Sequence, residues 1–444
     1  MRPLAVSEKL LLLRDLGLRA RQMKRAPYLS PDEMKRRQLE RIRALVTHAY
    51  ETVPFYREIY GAAGFEPGDL ADWPDFERLP FVSKDQVIEA FPERILSGRF
   101  DPADLIVSRS SGSSGKVLDV AYDARTLIAY VLATIRLYQM GFGYRPWHRH
   151  VYVYTSPYPI RSIFGLYPLT FVSTLTPIDQ ILDVLVSTRP HLLICYPSHL
   201  RQIADLATDA QLTRIRPLLV SVSSEMSSQS ERDALSSIFR CPVLDNYSSE
   251  EMARIASQCL AGSYHVFEDM NYIETVDGDD RPTKGLGKVV ATNLHNFAVP
   301  LIRYQQNDLA QIEAPGCECG RRFRRLGNLQ GRQNDSFTMP SGRVLTSGFL
   351  LDATYEFLLA HRTAIRDFCL IQESRSSILL EVVPGGGWNE TTRAQIGGRF
   401  RRFLDCEVAF RIRVVNECEK TRTGKRNPII NRAGRAVGAA LPRP

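Results

Sequence analysis

Residues 218–245 read Leu-Leu-Val-Ser-Val-Ser-Ser-Glu-Met-Ser-Ser-Gln-Ser-Glu-Arg-Asp-Ala-Leu-Ser-Ser-Ile-Phe-Arg-Cys-Pro-Val-Leu-Asp. The apolar run 218–222 predicts a strand, 228–239 a helix, and Val243-Leu244 a second strand. The same alternation extends upstream. Runs 151–154 and 191–195 read as strands, and 126–140, 180–187 and 198–207 as helices. Short β-rich runs separated by helices predict parallel sheet and an α/β class.

Downstream, 264–276 and 287–292 read as hairpin strands, followed by the apolar run 299–304 and a polar turn at 305–308. The texture changes past 331–335. A helix at 348–360, strands at 368–372 and 378–383, a helix at 391–403 and a strand at 408–415 form an α-β-β-α-β series. About a hundred residues suffice for a small α+β domain. The expected division is therefore 1–334 and 335–444, with a hinge near Asn334 and a mobile second domain. At the other end, Ser30-Pro31-Asp32-Glu33 forms a capping box. It opens a helix that carries Leu39, Ile42, Leu45, Val46 and Ala49 and stops at 53–56. A short helix is expected near 57–63, and Ser83 is placed to cap another.

A chain of 444 residues exceeds one typical domain. Its 44% hydrophobic and 24% charged content is ordinary for a globular protein, and its net charge of +8 comes from scattered arginines. No clustered basic face with interleaved aromatics points to nucleic acid. No apolar run approaches the ~18 residues that a membrane helix needs. The apolar segment near the start is short and broken by charge, unlike a signal peptide. Eight cysteines in a chain of this length do not suggest a disulfide scaffold, so a reducing, cytoplasmic setting is expected.

Residues 108–116, Ser-Arg-Ser-Ser-Gly-Ser-Ser-Gly-Lys, suit either a surface turn or an anion cradle of backbone amides, hydroxyls and a mobile lysine. The spacing is not that of a Walker A loop, because Gly112 and Gly115 are too close together. Asn246-Tyr247-Ser248-Ser249-Glu250-Glu251 follows a strand end, where open α/β sheets bind ligands; it could equally begin a helix. Arg303 with Asp308, and Arg332 with Asp335, could grip ribose hydroxyls or form surface ion pairs. Cys317 and Cys319, with Cys259 and His265 earlier, could complete a Cys3His metal site. Cys195, Cys241, Cys369, Cys406 and Cys418 read as buried packing residues. The basic segment 420–426 is a solvated tail or a functional turn.

Taken in order, these pieces resemble the adenylate-forming enzymes, in particular the phenylacetate–CoA ligase-like branch that includes capsular-polysaccharide-biosynthesis proteins. The resemblance runs through most of the chain. Residues 110–116 resemble the branch's Ser-Ser-Gly-Thr-Thr-Gly-Lys loop, and 247–251 its Tyr-Gly-Ser-x-Glu motif. Pro300-Leu301-Ile302-Arg303-Tyr304, Asp308, the Cys317/Cys319 pair and Gly331-Arg332-x-x-Asp335 are also typical. The resemblance implies a large adenylate-forming domain of mixed or parallel sheets flanked by helices, plus a small mobile α+β domain. It implies that a carboxylate is activated as acyl-AMP with release of pyrophosphate, then passed to a thiol or amine acceptor.

By the same resemblance, Ser110, Ser111, Gly112, Ser113, Ser114, Gly115 and Lys116 hold phosphates, and Tyr247 stacks on adenine within a pocket formed with Ser224, Glu225, Asn246 and Ser248. Asp308 and Arg332 bind the ribose, Glu251 ligates Mg2+, and Lys425 reaches the α-phosphate; Lys425, Glu251 and Lys116 are the expected catalytic residues. Some relatives hold zinc on a Cys/His set, which here would be Cys259, His265, Cys317 and Cys319. ATP or AMP and Mg2+ are thus expected ligands, with structural Zn2+, CoA and a homodimer left open. Three departures stand out: Ser248 replaces a glycine, Asn334 replaces the usual hinge aspartate, and no acceptor motif is matched. An adenylyltransferase and a degenerate nucleotide-binding subunit are the alternatives. Tyr152, Tyr154, Phe164 and Tyr167 make an aryl or planar acid plausible.

Overall fold

The computed structural model describes residues 4–109, 117–158, 160–361, 363–421 and 424–433. Among these residues, strands build an 11-stranded mixed sheet and a separate 4-stranded sheet. In the large sheet, Leu169–Ser173, His150–Tyr154, Leu192–Cys195, Leu219–Ser223 and Val243–Ser249 lie side by side and parallel. The helices Ile178–Thr188, Pro197–Leu206, Asp209–Ile215 and Gln229–Phe239 connect them. Leu192–Cys195 and Leu219–Ser223 are buried along their whole length, as strands covered on both faces must be. Local caps set the helix starts: Ser30 Oγ accepts from the Glu33 amide at 3.2 Å, and Ser228 Oγ from the Glu231 amide at 3.0 Å. Ser83 does the same for the Gln86 amide at 3.3 Å.

Past Val243–Ser249 the sheet turns antiparallel, through Ala253–Gln258, Tyr264–Val266, Arg325–Arg332, Tyr304–Glu313, Gly287–Asn293 and Asn271–Val276. Two expectations need correction here. Residues 246–249 continue a strand rather than forming a loop or opening a helix, and the expected turn at 305–308 lies within the strand Tyr304–Glu313. Both runs look too polar for strands because their polar side chains face a cavity instead of a hydrophobic core. An N-terminal helix, Val6–Arg25, precedes the expected ones. Cys406 is exposed, contrary to its expected burial, whereas Cys195, Cys241, Cys369 and Cys418 are buried. Among the described residues, no helix is long and apolar enough to cross a membrane.

The smaller sheet orders Ala409–Val414, Ser377–Pro384, Ile365–Ser374 and Ile429–Asn431, with helices Ser347–Leu359 and Glu390–Phe403. Ile429–Asn431, absent from the expected series, runs parallel to Ile365–Ser374. This sheet has its own core, which includes Phe337, Leu350, Phe368, Leu380, Ile396 and Phe400.

Arg303 is neither a ribose ligand nor a surface ion pair. It is 2% exposed and donates to Glu274 Oε1 at 2.9 Å and to the Leu79 carbonyl at 2.6 Å. Its guanidinium also lies 4.1 Å from the Phe81 ring centroid. It thereby ties the N-terminal helical segment to the sheet. Removing one partner of such a pair strands the other charge in a dry site. Arg303→Ala should therefore lower unfolding free energy by about 3–5 kcal/mol in chemical denaturation, while an exposed pair such as Arg94–Glu58 should contribute less than about 1 kcal/mol.

Candidate active site

The strand Val243–Ser249 is the switch point: its neighbour is parallel on one side and antiparallel on the other. Among the described residues no crossover covers its carboxyl end, and a crevice opens there. A cavity of about 1180 Å³ occupies that position, bounded by the large sheet and, from the smaller unit, by the helix Ser347–Leu359 and Lys425 to Pro428. Tyr247, Ser248, Glu250, Glu251, Asp308, Arg332 and Lys425 all line it. The first four come from the strand and the hairpin after it. Asp308 and Arg332 face each other across the register of Tyr304–Glu313 and Arg325–Arg332. Lys425 arrives from the smaller unit.

These groups touch one another in a defined way. The Tyr247 hydroxyl donates to Asp308 Oδ2 at 2.6 Å, and the Tyr304 hydroxyl to Glu251 Oε1 at 3.2 Å. The Ser108 hydroxyl donates to Glu250 Oε2 at 2.5 Å. Burial raises the pKa of Asp308, opposed by the Arg332 charge and the Tyr247 hydrogen bond. Burial also raises Glu250, opposed by Ser108 and Lys425. Lys425 is lowered by burial, with Glu250 and Glu225 pulling the other way. Its ammonium lies 5.6 Å from the Tyr196 ring centroid. The cavity therefore offers oxygen ligands for a cation beside two positive groups for an anion.

The other expected site residues divide three ways. Residues 110–116, the expected phosphate loop with Lys116, lie outside the described residues. Ser224 and Asn246 line the cavity, and the Asn246 side chain is engaged with Ser221 and Ser257. Glu225 also lines it, but its carboxylate is occupied: it accepts from the Ser198 amide at 3.1 Å, the Ser198 hydroxyl at 3.0 Å and the Arg426 amide at 2.6 Å. It joins the segment at Ser198 to the segment at Arg426. Asn334 and Asp335 both border the cavity, and burial raises Asp335.

Cys259, His265, Cys317 and Cys319 come together with their ligand atoms within 4.8 Å of one another. Cys259 Sγ lies 3.6 Å from Cys317 Sγ, and Cys319 Sγ lies 3.2 Å from His265 Nε2. Tetrahedral Zn2+, with bonds of about 2.0–2.3 Å, needs separations of that order. Burial opposes the Cys317 thiolate, but the Cys319 amide and Ser263 hydroxyl outweigh it and bring the thiol down to about 7. Burial takes His265 down to about 4, leaving the neutral imidazole that a metal requires.

No protein-family model matches the chain. A crystal structure of 2-hydroxyisobutyryl-CoA ligase in the postadenylation state, in complex with 2-HIB-AMP, aligns with a TM-score of 0.76 at 20% identity, covering 91% of each chain. The same enzyme in the thioesterification state, with 2-HIB-AMP and CoA, gives 0.61 over 92% of this chain and 91% of that one, again at 20% identity. The anthranilate CoA ligase AuaEII in complex with anthranoyl-AMP gives 0.55 at 15% identity, over 74% of this chain and 67% of that one. The fold is that of the adenylate-forming ligases. In sequence the chain is similar to the phenylacetate-coenzyme A ligases of Aromatoleum evansii, at 26% identity over 330 residues, and Escherichia coli strain K12, at 25% over 339. These alignments span 69% and 72% of this chain, and 72% and 75% of the relatives. The resemblance read from the sequence is borne out.

The clasp makes a prediction independent of catalysis. Glu225→Ala should speed hydrogen exchange at the Arg426 amide by about 10–100-fold, the equivalent of one charge-assisted hydrogen bond. Exchange at unchanged rate would show that Glu225 does not hold the smaller unit.

Proposed function

We propose that this protein is an ATP-dependent acid ligase that activates a carboxylic acid as acyl-AMP and passes the acyl group to a thiol or amine. The observation that carries the reading is the convergence of Lys425 with Glu250, Glu251, Asp308 and Arg332 on one cavity at the switch point of the sheet. A carboxylate oxygen attacks the α-phosphorus, the bond to the pyrophosphate oxygen breaks, and acyl-AMP forms. The acceptor's sulfur or nitrogen then attacks the acyl carbon, and AMP leaves. CoA is the proposed acceptor, from the similarity to the phenylacetate-coenzyme A ligases.

Tyr247 presents its ring to the adenine, and its hydroxyl orients Asp308 toward the ribose hydroxyls, assisted by Arg332. Glu251, held by Tyr304, is an oxygen ligand suited to Mg2+, which when bound would neutralise phosphate charge. Lys425 stabilises the charge that develops at the α-phosphate and carboxylate. Residues 1–334 and 335–444 are proposed as two bodies, the second mobile. The higher TM-score against the postadenylation structure than against the thioesterification one, 0.76 against 0.61, supports reading the described arrangement as the one in which Lys425 meets the nucleotide. Free cysteines fit a reducing, cytoplasmic setting.

Carboxylate-dependent exchange of pyrophosphate into ATP tests the reading. Lys425→Ala should cut exchange by about 100–1,000-fold yet spare transfer from a supplied acyl-adenylate. The ammonium is the working form and its pKa is lowered. Exchange should therefore decline with rising pH earlier than the ~10.4 of an ordinary lysine would dictate. Absence of exchange and of ATP binding with any acid in a broad panel would sink the proposal and favour a nucleotide-binding subunit.

A structural Zn2+ on Cys259, His265, Cys317 and Cys319 is proposed with it. The purified protein should contain about one zinc per chain, and a strong chelator should lower its melting temperature. Cys317→Ser should lose the metal and, where folded, retain exchange. Metal-free protein with an unchanged melting temperature would remove the zinc from the account.

A further inference from the structure

Arg254 lines the same cavity on the strand after the switch point, and the reaction described above gives it no role. Its Nε donates to Thr134 Oγ1 at 2.9 Å, its Nη2 lies 3.5 Å from the Tyr138 hydroxyl, and its guanidinium sits 5.6 Å from the Tyr138 ring centroid. Arg136 and Arg303, both more buried, each hold a carboxylate, Asp269 and Glu274, whereas the buried Arg232 is held by Ser227 and Gln229. Among the described residues, no carboxylate pairs with Arg254. The undescribed stretches 1–3, 110–116, 159, 362, 422–423 and 434–444 contain no aspartate or glutamate. A guanidinium is always charged, and withdrawing it from water without a counter-ion costs stability.

The backbone is built to hold it there. Ala253, immediately before Arg254, has a φ of 55°, a left-handed conformation uncommon for a residue with a side chain. A register shift lies between Tyr247 and Ser248, so that Tyr247 pairs with Ala256 but Ser248 with Arg254, leaving Ile255 as the extra residue. Bulges beside active sites re-aim a side chain. Asn271 Nδ2 donates to the carbonyls of Met252 at 3.2 Å and Arg254 at 2.7 Å, fixing the turn from behind. The surrounding wall is phenolic: Tyr152 and Tyr154 stack at 4.6 Å, and the Tyr138 hydroxyl donates to Ser221 Oγ at 3.1 Å.

We infer that Arg254 is a specificity-determining residue that reads a second anionic group on the acid, so that the substrate carries one carboxylate for activation and another oxyanion for Arg254. The missing counter-ion is then the substrate's own. The tyrosine wall suits a planar spacer between the two charges, and an acid with an apolar tail leaves the guanidinium without a counter-ion. This rests on the acid-ligase reading, because it assigns the second charge of the acid that the site activates.

The test compares matched acids in pyrophosphate exchange: terephthalate against benzoate, glutarate against butyrate, and 4-sulfobenzoate to separate a carboxylate from another oxyanion. The doubly charged member of each pair should have kcat/KM higher by on the order of 100-fold, the range for losing a buried charged partner. Arg254→Met should erase that preference while leaving the singly charged acid within a few-fold, and Arg254→Lys should restore part of it. A preference for the uncharged tail, or an equal loss on both members of a pair, overturns the inference. If Arg254→Met does not fold, calorimetry of the paired acids on the wild-type protein decides, and equal affinities overturn it. If no acid supports exchange, the acid-ligase reading fails separately, and the same calorimetric comparison still decides the role of Arg254.

Discussion

The strand Val243–Ser249 has a parallel neighbour on one side and an antiparallel neighbour on the other, and the site depends on that arrangement. In the parallel half, helices carry the chain from Leu169–Ser173 through Leu192–Cys195 and Leu219–Ser223 to Val243–Ser249, while His150–Tyr154 reaches Leu169–Ser173 with no helix among the described residues. In the antiparallel half, strands return through turns and loops, and the N-terminal helices pack against them. The change of regime happens within one strand, so its carboxyl end borders the cavity, and the polar residues 246–251 line it, the cost of burying Glu250 being offset by Ser108 and Lys425. Asp308 and Arg332 reach the same place because their strands belong to the antiparallel half, whose register sets them opposite each other.

Charge in this molecule is managed by pairing. Arg303 with Glu274 joins the N-terminal helices to the sheet, and Arg201 with Glu231 and Asp367 links the large unit to the small one. Glu225 works differently. Its carboxylate gathers backbone and hydroxyl donors from Ser198 and from the amide of Arg426. That contact holds the residue after Lys425, so the position of the lysine is coupled to a carboxylate on the far side of the unit boundary.

Much of the fold was legible because its determinants are local. Apolar runs separated by amphipathic stretches marked the parallel half, and serine caps marked where helices begin. Two of the errors share one cause. Residues 246–249 and 305–308 are strands with polar side chains, and pattern reasoning assumes that a strand must present an apolar face to a core. When the face belongs to a cavity, the pattern inverts. Arg303 misled for the converse reason: a charged residue near a turn reads as exposed until the fold closes Phe81, Glu77 and Glu274 around it.

The sequence by itself determined the alternation of elements, the caps, and the candidates Tyr247, Glu251, Asp308, Arg332 and Lys425, because residue type and order along the chain carry that information. It also contained both halves of the Cys/His set, though their meeting depends on Tyr264–Val266 pairing with Arg325–Arg332 across nearly sixty intervening residues. Only the tertiary structure decided which charges have partners. Glu225 became a clasp, Arg303 a buried tie and Arg254 a cation with no carboxylate beside it among the described residues, and nothing adjacent to them in sequence distinguishes the three. Coulomb energy and desolvation depend on distance and burial in space, and those are fixed only when remote segments fold against one another.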